Sequence, residues 1–162
     1  MDRLILLRHG EAEADSASGR DFDRRLTARG ARQSAATAER LAALGVAPNL
    51  ALVSPAARAR ETWDAAGAIL SAAETREDRA LYNAEAEDIC ALLDELEEVP
   101  GAVIVVAHNP GLQEVSLGLA AAGGAAHESL VGLRSAFPPA AAAVFRIDSA
   151  GRPTFETLVL AE

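Results

Sequence analysis

Two arginines and two histidines in this chain stand where a short apolar run gives way to polar residues. Arg8-His9-Gly10 follows the run Leu4 to Leu7, and His108-Asn109-Pro110-Gly111 follows Ala102 to Ala107. A third run, Leu50 to Val53, ends at Ser54-Pro55 and leads on to Arg58. Runs this short and this apolar read as strands covered on both faces, as in a parallel sheet. Each would deliver its polar residues to the carboxyl end of a strand, where open α/β sheets bind ligands. If the three strands are neighbours, two guanidiniums and two imidazoles converge on one spot. Such donors repel one another when empty and suit an anion.

Phosphoryl transfer matches this equipment. The transferred group spreads charge over three oxygens, which guanidiniums meet with paired hydrogen bonds. A neutral imidazole can attack phosphorus in line, while a second imidazole stabilises the oxygens. Two histidines can also ligate a metal, but the arginines would repel a cation from the same place. Neither Gly-rich nucleotide loop, G-x-x-x-x-G-K-[ST] or G-x-G-x-x-G, occurs. No metal and no cofactor is expected.

The elements that must position these residues follow in order. Glu13 to Arg25, broken by Gly19, reads as a loop over the end of the sheet. Leu26-Thr27 opens a helix to about Leu44, with Thr27 as cap, Gly45 and Pro48 as the stop, and Ala31, Ala35, Ala38, Leu41 and Leu44 as its apolar stripe. Ser54 as N-cap and Pro55 as first helical residue start a second helix through Arg58, Thr62 and Ile69, which puts Arg58 in the first turn beside free amides that favour an anion. Arg76 to Tyr82 holds a short edge strand, and Ala86 to Leu96 an amphipathic helix carrying Ile89, Leu92, Leu93 and Leu96. Ala102 to Ala107 is the strongest β run, followed by a helix from Leu112 to about Ala121 that Gly123-Gly124 closes. His127 falls in the next loop as a surface residue. Ala141 to Asp148 and Thr154 to Leu160 form an antiparallel hairpin at the sheet edge about Ser149-Ala150-Gly151.

A chain of 162 residues makes one domain, able to bury ~70% of its unfolded surface. The net charge of -9 speaks against nucleic acid or an anionic membrane as partner. Cys90 stands alone, which excludes an internal disulfide, and no apolar run approaches a membrane span of ~20 residues. A soluble, cytoplasmic protein is expected.

Taken together, LLRHGEAE, RRLTARG, LVSPAARARET and VVAHNPGL resemble the histidine phosphatase superfamily, also called phosphoglycerate-mutase-like, and most closely its small SixA-type phosphohistidine phosphatases. The resemblance implies an α/β fold, a three-layer α/β/α sandwich with a mostly parallel central sheet and an antiparallel edge, over a single domain of residues 1–162. It implies a metal-independent phosphatase in which His9 becomes phosphorylated and Arg8, His9, Arg58 and His108 form the phosphate pocket. Gly10 lets the backbone pass close to His9, holding the ring by a carbonyl contact, and water then hydrolyses the phosphohistidine.

Two departures stand out. Mutase-branch relatives carry a glutamate proton donor in an inserted lid, for which the segment before Ala102 has no clear room. Phytase-branch relatives follow the second histidine with an aspartate, where this chain has Asn109. Glu11, Asp21, Glu85 and Glu87 are the proton-donor candidates. A missing acid and a short lid both suit phosphohistidine on a protein surface as substrate. The alternatives are a phosphatase of small monoesters such as sugar phosphates, and a phosphate-binding domain with little turnover. The partner is thus a phosphorylated protein or a small phosphorylated metabolite.

Overall fold

The computed structural model describes residues 1–162. Six strands, β1 (Arg3–Arg8), β2 (Pro48–Val53), β3 (Glu74–Glu77), β4 (Ala102–Ala107), β5 (Ala142–Ile147) and β6 (Pro153–Val159), form one sheet in the order β3-β2-β4-β1-β5-β6. The first four strands run parallel, and β5 and β6 form an antiparallel hairpin whose inner strand pairs with β1. Five helices cover it: α1 (Ala28–Ala43), α2 (Ala57–Leu70), α3 (Ala86–Glu95), α4 (Gly111–Ala122) and α5 (His127–Ser135).

The alternation of strand side chains divides the core in two. Leu4, Leu6, Leu50, Leu52, Val103 and Val105 face one way, against Ile89 and Leu93 of α3, Leu112 and Val115 of α4 and Leu133 of α5. Ile5, Leu7, Ala51, Val53, Ile104 and Val106 face the other, against Ala38 and Leu41 of α1 and Trp63 and Ala66 of α2. Both faces are apolar, so the central strands read as unbroken apolar runs.

Three expectations need correction. Ser54 does not cap α2, which begins at Ala57 after Ala56, and no side chain caps it. His127 is exposed as expected, but it opens α5 rather than lying in a loop. On α1 the buried set is Gly30, Ser34, Thr37, Ala38 and Leu41, while Leu44 is 45% exposed. Two hydroxyls take the buried face because each finds a carbonyl: Ser34 donates to Gly30 O at 2.8 Å and Thr37 to Ala140 O at 2.7 Å. Thr27 caps α1 as expected, accepting from Gly30 N at 2.9 Å.

A glycine crossing fixes the chain as it leaves β1. A Cβ on Gly30 would lie 2.0 Å from Glu11 O, and one on Gly10 would lie 2.5 Å from Gly30 O. Gly10 is therefore required for its close approach to α1. A helical glycine replaced by alanine ordinarily gains about 1 kcal/mol. Gly118 of α4 faces open space, so Gly118→Ala should gain up to about that amount in urea unfolding. Gly30→Ala should reverse the sign, losing about 2 kcal/mol or more through overpacking. Equal gains in both variants would show that the crossing is not tight.

Candidate active site

Parallel register aligns the ends of β1, β2 and β4. Arg8 pairs with Ala107 and Val53 with Val106, with β4 lying between β1 and β2. The next residue of each strand, His9, Ser54 and His108, therefore emerges at one edge. Backbone bonds extend the pairing: His9 N donates to Ala107 O at 3.1 Å and Ser54 N to Val106 O at 3.0 Å. His9, Arg58 and His108 are 8%, 4% and 6% exposed.

Each side chain is held by a named contact. His9 Nδ1 lies 2.7 Å from Gly10 O, so Nδ1 carries the proton and Nε2 keeps its lone pair. Arg58 Nε donates to that Nε2 at a long 3.3 Å. The two histidine rings stand 5.1 Å apart. Ser54 Oγ sits 2.7 Å from His108 Nε2. With the hydroxyl donating there, His108 carries its proton on Nδ1, a buried atom with no partner. Arg8 donates from Nη1 to Phe137 O at 2.7 Å, and its buried Nε is likewise unpartnered. Thr62 ties the pieces together, accepting from Gly10 N at 2.9 Å and donating to Arg58 O at 2.7 Å.

Burial, then the charges of Arg58, Arg8 and Arg24, push the His9 pKa down to about 4, against the rise that its bond to Gly10 gives. His108 falls to about 3, through burial first and then His9 and Arg58. Both rings are neutral at pH 7. A neutral imidazole whose Nε2 accepts only a long contact from Arg58, set among the unpartnered Arg8 Nε and His108 Nδ1, is equipped to attack an electrophile carrying an anion.

Of the four carboxylates weighed as proton donors, only Asp21 reaches the cluster. It lies in a 3-10 turn, Asp21–Asp23, of the loop between β1 and α1. Its Oδ2 accepts from Arg58 Nη2 at 3.1 Å and its backbone O from Arg58 Nη1 at 2.9 Å. Arg24 Nε reaches Oδ1 at 3.0 Å. Partial burial pushes the Asp21 carboxyl up, but the Tyr82 hydroxyl, Arg58 and Arg24 outweigh it and hold it below its ordinary range. Glu11 is tied to Thr27 Oγ1 at 2.8 Å and Arg29 at 3.4 Å, and Glu85 and Glu87 lie exposed at the start of α3.

Tyr82, assigned above only to the end of an edge strand, is a site neighbour. β3 stops at Glu77, and Tyr82 follows a second 3-10 turn, Arg79–Leu81. The phenol donates to Asp21 Oδ2 at 2.9 Å, and its ring stands 5.9 Å from His108. The signal in the sequence was positional, since a fourth parallel strand also ends on this side. A cavity of about 650 Å³ lined by Arg3, Arg40, Leu44 and Glu156 lies toward the opposite end of β1 and contains none of these residues.

Residues 4–103 match the model of the histidine phosphatase superfamily (branch 1). A SixA-type protein of Agrobacterium tumefaciens is 30% identical, with a TM-score of 0.83 over 98% of this chain and 97% of that one. The protein histidine phosphatase SixA complexed with tungstate is 26% identical, with a TM-score of 0.79 over 98% and 97% of the two chains. An uncharacterised chloroplastic protein of Arabidopsis thaliana is 48% identical over 60 residues, 37% of this chain and 28% of that protein. The match thus spans little more than a quarter of that relative.

The depressed histidines make stability depend on pH. Unfolded imidazoles take up protons near pH 6.5, whereas His9 and His108 in the fold resist until about 4 and about 3. Between those values the unfolded chain binds more protons, so stability is full above pH 6.5 and falls as pH drops towards 4. His9 alone should account for a loss on the order of 3 kcal/mol. Urea unfolding from pH 7 to pH 4 should show a shallower decline in His9→Asn than in the native protein. Parallel declines would place the histidine in an ordinary, solvated environment.

Proposed function

The chain belongs to the histidine phosphatase superfamily, and from that membership we propose that His9 is the nucleophile of its reaction and that phosphohistidine carried on a protein is its substrate. It is a phosphatase that works through a histidine. One observation carries the assignment of His9: a neutral imidazole whose Nε2 lone pair meets only the long 3.3 Å contact from Arg58 Nε stands with the buried, unpartnered nitrogens Arg8 Nε and His108 Nδ1. Residues 1–162 act as one domain.

The reaction runs in two displacements. His9 Nε2 bonds to phosphorus as the bond from phosphorus to the leaving nitrogen breaks. Arg8, Arg58 and His108 Nδ1 hold the three equatorial oxygens, which gain charge in the transition state. Asp21 supplies the proton to the leaving group. Empty, its carboxyl is held ionised. A phosphoryl group that takes the Nη groups of Arg58 removes that support and adds negative charge, so Asp21 takes up a proton. In the second displacement water attacks phosphorus, Asp21 accepts the water proton, and His9 is the leaving group.

Support for a protein substrate comes from the form of the mouth. Asp21 is exposed and Tyr82 half-buried, and only β3, a 3-10 turn and α3 lie between α2 and β4, with no inserted lid. A histidine on a protein surface can enter such a site. The SixA relative's tungstate is a tetrahedral oxyanion of the same kind as phosphate. Asp21 also supports the second reading, a phosphatase of small phosphate monoesters, because a carboxylic acid there can protonate an alkoxide.

Protein exposed to a radiolabelled phosphohistidine donor and quenched in alkaline detergent, where an N–P bond survives, should carry label on the native chain and none on His9→Ala. Equal labelling of both would remove His9 from the reaction. Arg58→Ala should cost about 2–4 kcal/mol of transition-state stabilisation, or about 10²–10³ in kcat/KM. Undiminished turnover would exclude Arg58.

Asp21→Asn separates the leaving groups. It should lower kcat for an alkyl phosphate by about 10²–10⁴ and for p-nitrophenyl phosphate far less, because nitrophenolate leaves without a proton. Equal losses on both would deny Asp21 the role of acid.

A further inference from the structure

The rim of the site carries an aromatic and cationic platform that the chemistry of phosphoryl transfer does not use. Phe22, next to Asp21, meets Tyr82 edge-on at 5.0 Å. Two guanidiniums lie over the Phe22 ring, Arg20 at 5.9 Å and Arg79 at 5.8 Å. These residues come from two separate segments, the β1–α1 loop and the 3-10 turn after β3. Both aromatic rings are half-buried and both arginines exposed. The platform is continuous with the site, since Tyr82 also bonds Asp21 Oδ2 and stands against His108.

Charge here runs against the rest of the molecule. The chain carries -9, yet Arg8, Arg20, Arg24, Arg58 and Arg79 gather at this mouth against Asp21, Asp23 and Asp78. Asp21 is occupied by Arg24 and Arg58, and Asp78 is turned to the Ala80 amide at 2.8 Å. Arg20 has only Asp23, at 3.7 Å, and that carboxylate also accepts from Ser18 Oγ at 2.6 Å. Arg79 has no ion pair. Two like charges beside one ring repel each other, and their contacts with the Phe22 ring offset part of that repulsion while both remain exposed.

Resting on the reading of the substrate as protein phosphohistidine, we propose that Arg20 and Arg79, braced on Phe22, dock an acidic segment beside the phosphorylated histidine. The phosphoryl group engages Arg8 and Arg58, and the flanking carboxylates of the substrate engage the outer pair. The rim thereby selects acidic partners and repels basic ones. Interactions of this exposed kind weaken as salt rises.

Two histidine peptides phosphorylated with phosphoramidate test this, one with Asp and Glu flanking the phosphohistidine and one with Ser and Gly. The native protein should show a KM at least about tenfold lower for the acidic peptide at low salt, a tenfold difference corresponding to about 1.4 kcal/mol. The double variant Arg20→Glu, Arg79→Glu should abolish or invert that preference, leaving kcat and the hydrolysis of phosphoramidate itself unchanged. Thermal melting checks that the exposed substitutions leave the fold intact. No preference in the native protein, or a preference that survives the double variant, overturns the docking role while the phosphatase reading stands. Turnover of phosphoramidate with neither peptide cleaved overturns both the docking role and the protein substrate.

Discussion

A guanidinium that is 4% exposed cannot be left without an anion, and Arg58 is the group on which the rest of this structure depends. Burying an unpaired charge costs several kcal/mol, so a carboxylate must come to it or a ligand must. In the empty protein Asp21 comes, and it arrives by way of a long excursion of the chain between β1 and α1. That excursion is pinned at its base by the Ala12–Leu26 bridge and by Glu61 of α2, which accepts from Arg25 and from Leu26 N. The helix that carries Arg58 thus also anchors the loop that supplies its partner.

The same contact creates a competition. A phosphoryl group and the Asp21 carboxylate want the same Nη atoms, and two anions cannot share them without one taking up a proton or moving away. On the proposed mechanism, an internal carboxylate of this kind keeps the pocket organised while empty and turns substrate binding into a change in its protonation. Around it the fixed parts are those with no freedom to move. His9 is locked by Gly10 O, His108 by Ser54, and the backbone after β1 by the Gly10–Gly30 crossing. Rigid groups around one displaceable anion are what preorganised electrostatic stabilisation requires.

The two segments that meet above the pocket differ in kind from the strand ends below it. Arg8, His9, Ser54 and His108 leave buried parallel strands in fixed register. Phe22, Asp21 and Tyr82 come from 3-10 turns in surface segments, joined by a phenol–carboxylate bond and an edge-on ring contact. A rigid floor and a rim built on loops would, on the roles proposed above, separate the tasks of reacting with a phosphoryl group and choosing what carries it.

Much of this was legible in residue order. The apolar runs at Leu4, Leu50 and Ala102 are local signals, because a strand buried on both faces must be apolar throughout, and the polar residue that ends each run marks the sheet edge. Thr27 as a cap and Arg58 in a first turn are equally local. Residues close in sequence but facing partners far along the chain were misread. Ser54 looked like a helix cap, and its hydroxyl went to His108 across two strands. The apolar stripe read for α1 left out Ser34 and Thr37, which long-range packing buries. Asp21 stood level with Glu11, Glu85 and Glu87 until the loop was folded over Arg58, and Tyr82 carried no local mark at all. By itself the sequence determined the apolar strands, four of the five helices and the polar residues at the strand ends, because propensity, capping and apolar pattern act within a few residues. Only the tertiary structure decided which carboxylate meets Arg58 and which rings form the rim, because those choices are set by contacts between segments up to 61 residues apart.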